Sequence, residues 1–152
     1  MVTPLTEAEA ARIVEAEKLI ATDIDWTISN GSFAKFKVDV DSKENWNLTI
    51  YGTAGLLVPK QSFSLVKDAT LHVRRLCVNN RHANKKPDDN RLLMTTHLHV
   101  WKDGCRDRFA VETGSLAGSD PGLAFSEFCD LVGVQFSGTL GALPAITSPL
   151  SL

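Results

Sequence analysis

"AKFKVDVDSKENWNLTIYG", residues 34–52, decides the fold class of this 152-residue chain. Ala34, Phe36, Val38 and Val40 alternate with Lys35, Lys37, Asp39 and Asp41. Side chains on a strand point to opposite faces in turn, so eight residues of this period mean a strand with one wet face. The turn-like "SKEN" then leads into "WNLTIYG", where Trp46, Leu48 and Ile50 oppose Asn47, Thr49 and Tyr51. Two alternating runs joined by polar turn residues read as an antiparallel hairpin.

Outward from this hairpin, further strands are expected at 62–66, 70–78, 92–102 and 108–112, with turns at Lys67-Asp68 and Asp103-Gly104. On the N-terminal side, Thr6 and Glu9 stand at capping-box spacing and Leu5 and Ala10 at staple spacing. Ala10, Ile13, Val14, Glu17 and Ile20 continue at helical intervals, predicting a helix over about 6–20. On the C-terminal side, Asp120-Pro121 supplies an N-cap and a first-turn proline. Leu123, Ala124, Phe128, Leu131 and Val132 extend that helix to about 132. The expected architecture is a single α+β domain over 1–135, with about six mostly antiparallel strands between an N-terminal and a C-terminal helix. Residues 136–152, rich in Gly, Ser and Pro, are expected to be an extended or loosely docked tail.

Hydrophobic content of 43% and charged content of 22% place the chain in the globular class. No apolar run approaches the roughly 20 residues that cross a bilayer, and the acidic, helix-like start does not resemble a secretory signal. The expected setting is the cytoplasm, without a membrane partner. Cys77, Cys105 and Cys129 are widely spaced and odd in number, which argues for reduced thiols. The net charge of −2 conceals a basic middle: residues 72–108 hold nine Lys/Arg against four Asp/Glu, a surplus of five. Such a segment attracts anions, phosphates included.

The same segment holds His82, His97 and His99, three of the four histidines. On a strand, Thr95, His97, His99 and Trp101 share one face, and Met94, Thr96, Leu98 and Val100 share the other. The aliphatic side is expected to be the core face. Both imidazoles and the indole would then project outward, the rings about 7 Å apart by the rise of two strand residues. His82 comes from the loop "NNRHANKKPDDN".

Three uses fit such a surface. His97 and His99 could serve as general acid and general base, with His82 as auxiliary, in metal-independent cleavage of RNA by its own 2'-hydroxyl. Arg74, Arg81, Asn84, Lys85, Lys86 and Trp101 would bind the substrate. Alternatively, His97 and His99 could ligate zinc with His82, Asp88 or Cys77 as third ligand. No third ligand stands at tight spacing, so neither metal nor cofactor is expected. In the third use the basic, aromatic surface simply docks a partner. A buried, purely structural histidine pair is the ordinary alternative to all three.

The residues "RHANKKPDDN…THLHVWKDG" resemble a family of small bacterial and phage proteins that form a domain of unknown function. Its members carry a His-x-Asn-Pro-Asp-Gly-like loop, a His-x-His-x-Tyr strand and an acidic-Gly turn. His82 and Asn84 match the loop pair, His97 and His99 the strand pair, Trp101 the aromatic position, and Asp103-Gly104 the turn. The resemblance covers roughly 62–132, with a longer loop here. It implies a phage or mobile-element setting. The leading expectation is action on nucleic acid, with RNA or another phosphate-bearing ligand as partner. The rival is a non-enzymatic inhibitor that binds a host defence protein. An exposed edge strand such as 34–40 could also support a dimer.

Overall fold

A computed structural model describes residues 5–57, 60–78, 82–83, 92–93, 96–104, 106–112 and 120–144; at 30, 82–83, 92–93 and 112 it describes backbone alone. The elements in chain order are α1 (Glu7–Glu15), β1 (Lys18–Ile20), β2 (Thr27–Asn30), β3 (Phe33–Ser42), β4 (Leu48–Gly55), β5 (Gln61–Lys67) and β6 (Leu71–Val78). They continue with β7 (His82–Ala83), β8 (Leu92–Leu93), β9 (His97–Lys102), β10 (Arg106–Glu112), α2 (Pro121–Leu131) and β11 (Val134–Phe136).

The hairpin of 34–52 is the centre of the sheet. Val40 faces Leu48, Val38 faces Ile50 and Phe36 faces Gly52 across β3 and β4. The alternation on β3 sets this register, because a slip by one residue would turn Phe36 and Val40 into water. Gly52 is required there: a Cβ at that position would lie 2.2 Å from the Phe36 ring. From the hairpin the sheet extends both ways in the order β10-β9-β6-β5-β4-β3-β1-β11, with β2 paired to β3 beside β1. It has nine strands rather than about six, and β7 and β8 form a separate two-stranded sheet.

The extra strands are short and come from stretches with too few residues to show a period. β1 occupies residues assigned to the first helix by spacing. That helix stops at Glu15, and the Ala16 N–H closes it on the Arg12 carbonyl. Lys18 then turns back, its Nζ donating to the carbonyls of Ile13, Val14 and Ala16. An ammonium at the negative end of a helix satisfies carbonyls that lack intrahelical donors. Burial nonetheless pulls its pKa down to about 8. The N-terminal box is half used: Thr6 accepts from the Glu9 N–H, whereas the Glu9 carboxylate pairs with Lys67 at 2.6 Å.

β1 pairs in parallel with β11, and the chain beyond runs alongside it. Ser137 N–H donates to Ile20 O, Ile24 N–H to Thr139 O, and Gly141 N–H to Ile24 O. Leu140 and Leu143 pack against the core. Residues 137–141 are thus tied by backbone hydrogen bonds to Ile20 and Ile24, which no local composition reveals.

Both helices contribute to one core. Ala10 and Ile13 of α1 and Ala124, Phe125, Phe128 and Cys129 of α2 are buried in a cluster with Phe63, Leu65 and Leu76. Its centre is aromatic: Phe63 lies 5.4 Å from Phe125, 6.0 Å from Phe128 and 6.2 Å from Phe36 between ring centroids. Asp120 caps α2 by accepting from the Gly122 and Leu123 N–H groups. Among the described residues no helix is long and apolar enough to cross a membrane.

The β5–β6 connection offers a small test. Asp68 and Ala69 both have positive φ, 54° and 65°, at the centre of a β-turn that the Thr70 N–H closes on the Lys67 carbonyl. Alanine pays a steric penalty there that glycine avoids. Ala69→Gly is expected to raise stability by about 1 kcal/mol in urea unfolding, because relief of strain outweighs the added freedom of the unfolded chain.

Candidate functional site

Directly opposed residues of an antiparallel ladder share a face. Phe63, Leu76 and Leu98 form one such row across β5, β6 and β9, on the helix-covered side. The adjacent rows point the other way. One consists of Ser62, Cys77 and His97, and the next of Ser64, Arg75, His99 and Ala110. The aliphatic side of β9 therefore faces the helices, as its residues imply. The histidine side departs from expectation, for it is not wet: His97 is 1% exposed, His99 2% and Cys77 8%. Ser64, Val66 and Ala110 are buried with them. The sheet is covered on both faces here, and period two along one strand cannot distinguish a second buried face from a wet one when its residues are polar.

The two imidazoles also lean together. Their centroids are 4.9 Å apart in an edge-to-face arrangement, closer than strand rise alone would place them. His99 Nδ1 lies 2.9 Å from the Asp107 carbonyl oxygen, which can only accept, so Nδ1 carries the proton and Nε2 the lone pair. The Arg75 Nη2 sits 3.4 Å and 3.5 Å from the two nitrogens of the same ring. Ser62 Oγ is 3.9 Å from Cys77 Sγ. Burial pushes the Cys77 thiol up, and the Arg75 charge and hydrogen bonds from Ser62 and Arg75 partly offset that. One ligand atom from each of Cys77, His97 and His99 lies within 4.8 Å of the others.

His72 is at the margin of this cluster. Burial lowers its pKa first, and Arg75 lowers it further, while Asp107 acts in the opposite sense. Its Nδ1 and the Nε of Arg75 are buried without a hydrogen-bond partner among the described residues.

Of the remaining expected site residues, the side chains of Trp101 and Arg74 are described. Trp101, expected to be an exposed stacking platform, is 7% exposed and is buried in the hydrophobic core cluster, with its indole N–H donating to Leu5 O at 2.7 Å. The β9–β10 ladder shifts register in this region, between Arg106 and Phe109. Arg74 is half-buried and donates to Val73 O. His82 contributes backbone to β7 opposite Leu93, and its side chain lies outside the described residues. Arg81, Asn84, Lys85, Lys86 and Asp88 lie outside them as well. Arg75 and Ser62 were missed by sequence reasoning. Arg75 and Cys77 are two apart on one strand, and the antiparallel register brings that pair against the His-x-His pair; the register is the signal that was lacking.

These features define a small α+β protein whose sheet carries a sealed thiol–imidazole cluster behind the main core. The chain belongs to a family of unknown function (DUF6978), whose model matches residues 5–134. No curated protein and no solved structure matches it.

Proposed function

We propose that the chain is a non-enzymatic interaction protein, of the kind a phage or mobile element uses to occupy a host defence protein. One observation carries this reading over the ribonuclease: with His97 and His99 at 1% and 2% exposure, neither ring can touch a 2'-hydroxyl or a leaving oxygen. The convergence of the rings at 4.9 Å favours the ribonuclease reading, which then requires the cluster to open.

The docking surface in this proposal is the basic middle of the chain. Its described exposed part is Arg106 and Arg108 on β10, which pairs with β9 on one side and ends the sheet on the other. Lys102 lies beside them, its Nζ 4.1 Å from the Phe109 ring centroid. An edge strand with cationic side chains suits an acidic, extended segment of a partner. Charged residues also protect such an edge against self-association, which is their ordinary role.

The test incubates the full chain with a labelled single-stranded RNA and, separately, with an Asp/Glu-rich peptide followed by fluorescence anisotropy. The expected result is intact RNA, together with salt-sensitive peptide binding that Arg106→Glu/Arg108→Glu abolishes. RNA products ending in a cyclic phosphate, absent from a His97→Ala/His99→Ala preparation that urea unfolding shows to be folded, would overturn the proposal in favour of catalysis. Failure of the peptide to bind would overturn the assignment of the β10 edge.

A further inference from the structure

We infer that Cys77, His97 and His99 form a binding site for a single borderline-soft divalent cation of the zinc class. This goes beyond the docking role, which needs only the outer edge of the sheet.

The donor set comes first. One thiol and two imidazoles are the ligands that select zinc over magnesium or calcium. The placement follows from the ladder: Cys77 and His97 are directly opposed on β6 and β9, and His99 is two residues along on the same face. Both strands are interior to the sheet, flanked by β5 and β10, so the backbone that carries the ligands is held on both sides. A tetrahedral zinc ion with ordinary bond lengths separates its nitrogen and sulfur donors by about 3.4–3.6 Å. The present separations are all within 4.8 Å, so the set must contract by at most about 1.4 Å, within reach of side-chain rotation.

Orientation is the second argument. The hydrogen bond from His99 Nδ1–H to the Asp107 carbonyl fixes the ring and makes Nε2 the coordinating nitrogen, from which the Arg75 Nη2, now at 3.5 Å, has to withdraw when an ion binds. A metal-binding imidazole is generally held in this way through its other nitrogen. Arg75 adds a positive charge that opposes a cation, and the thiolate offsets one unit of it. Binding therefore proceeds with loss of the Cys77 proton to solvent as the S–metal bond forms. The buried Arg75 Nε and His72 Nδ1, unpartnered among the described residues, leave hydrogen-bonding capacity at the margin of the cluster. A water in the fourth coordination position would use it.

The experiment titrates cobalt(II), as a spectroscopic stand-in for zinc, into the intact chain freed of metal by a chelator. One equivalent should generate the intense visible bands of tetrahedral cobalt and a near-ultraviolet thiolate-to-cobalt charge-transfer band, both bleached by zinc. Zinc should also raise the Tm and protect one thiol from alkylation. Cys77→Ser should remove the charge-transfer band and weaken cobalt binding more than the roughly 10–100-fold that loss of an orienting partner costs. Cys105→Ser should keep both. Should Cys77→Ser fail to fold, the titration and thiol protection of the unmodified chain still decide. Folded chain that develops no tetrahedral cobalt spectrum, or a charge-transfer band that survives in Cys77→Ser, overturns the site.

Discussion

Replacing His97 and His99 together by alanine is expected to cost the folded state about 3–6 kcal/mol, measured by urea unfolding in the presence of chelator. Two side chains that are 1% and 2% exposed leave behind a cavity on the second face of the sheet. The Asp107 carbonyl and the Arg75 guanidinium also lose the ring they meet. Loss of a buried hydrogen-bond partner adds about 1–3 kcal/mol to the loss of packing. The two changes will not sum simply, because the rings are in contact. An acid/base pair on a wet face would behave otherwise, since surface substitutions usually stay within about 0.5 kcal/mol. A loss below about 1 kcal/mol would therefore show that the rings face solvent. The consequence for function is direct: abolished activity in this variant is not by itself a sign of catalysis, and stability has to be measured beside it.

Phe63→Ala is the second large effect. The ring is 0% exposed and sits among Phe36, Phe125 and Phe128, at the point where β5 meets α2. Truncation leaves a cavity that its three aromatic neighbours, Phe36 fixed on β3 and Phe125 and Phe128 on α2, cannot collapse to fill. The expected loss is about 3–5 kcal/mol, with a drop in Tm of roughly 10 °C or more. Phe33→Ala serves as the comparison, for Phe33 is 44% exposed at the start of β3, and its truncation should cost far less. If both cost the same, the aromatic cluster is not the centre of the core.

Much of the fold was legible because local rules and tertiary packing agree along most of the chain. The 34–52 hairpin is the clearest instance, where an error-free alternation and a polar turn could satisfy only one register. The start of α2 is another: an aspartate before a proline places both the cap and the first turn. The end of α1 was not legible. Glu17 and Ile20 continue the helical spacing, yet the parallel partner β11, more than 110 residues away, draws Lys18–Ile20 into the sheet. Helical spacing is a property of the segment alone, whereas a strand also needs a neighbour that the segment does not contain.

The candidate site divides along the same line. From the sequence by itself came the α+β class, the assignment of Leu98 to the core side of its strand, the grouping of His97 with His99 on the other side, and the cationic character of the surrounding segment. Tertiary structure alone decided that the histidine side is sealed, that Trp101 is buried in the hydrophobic core cluster, and that Cys77 and Arg75 are the neighbours of the two rings. The physical reason is that alternation along a strand reports which side chains share a face. What that face touches depends on the register of strands about twenty residues away and on what lies over the sheet.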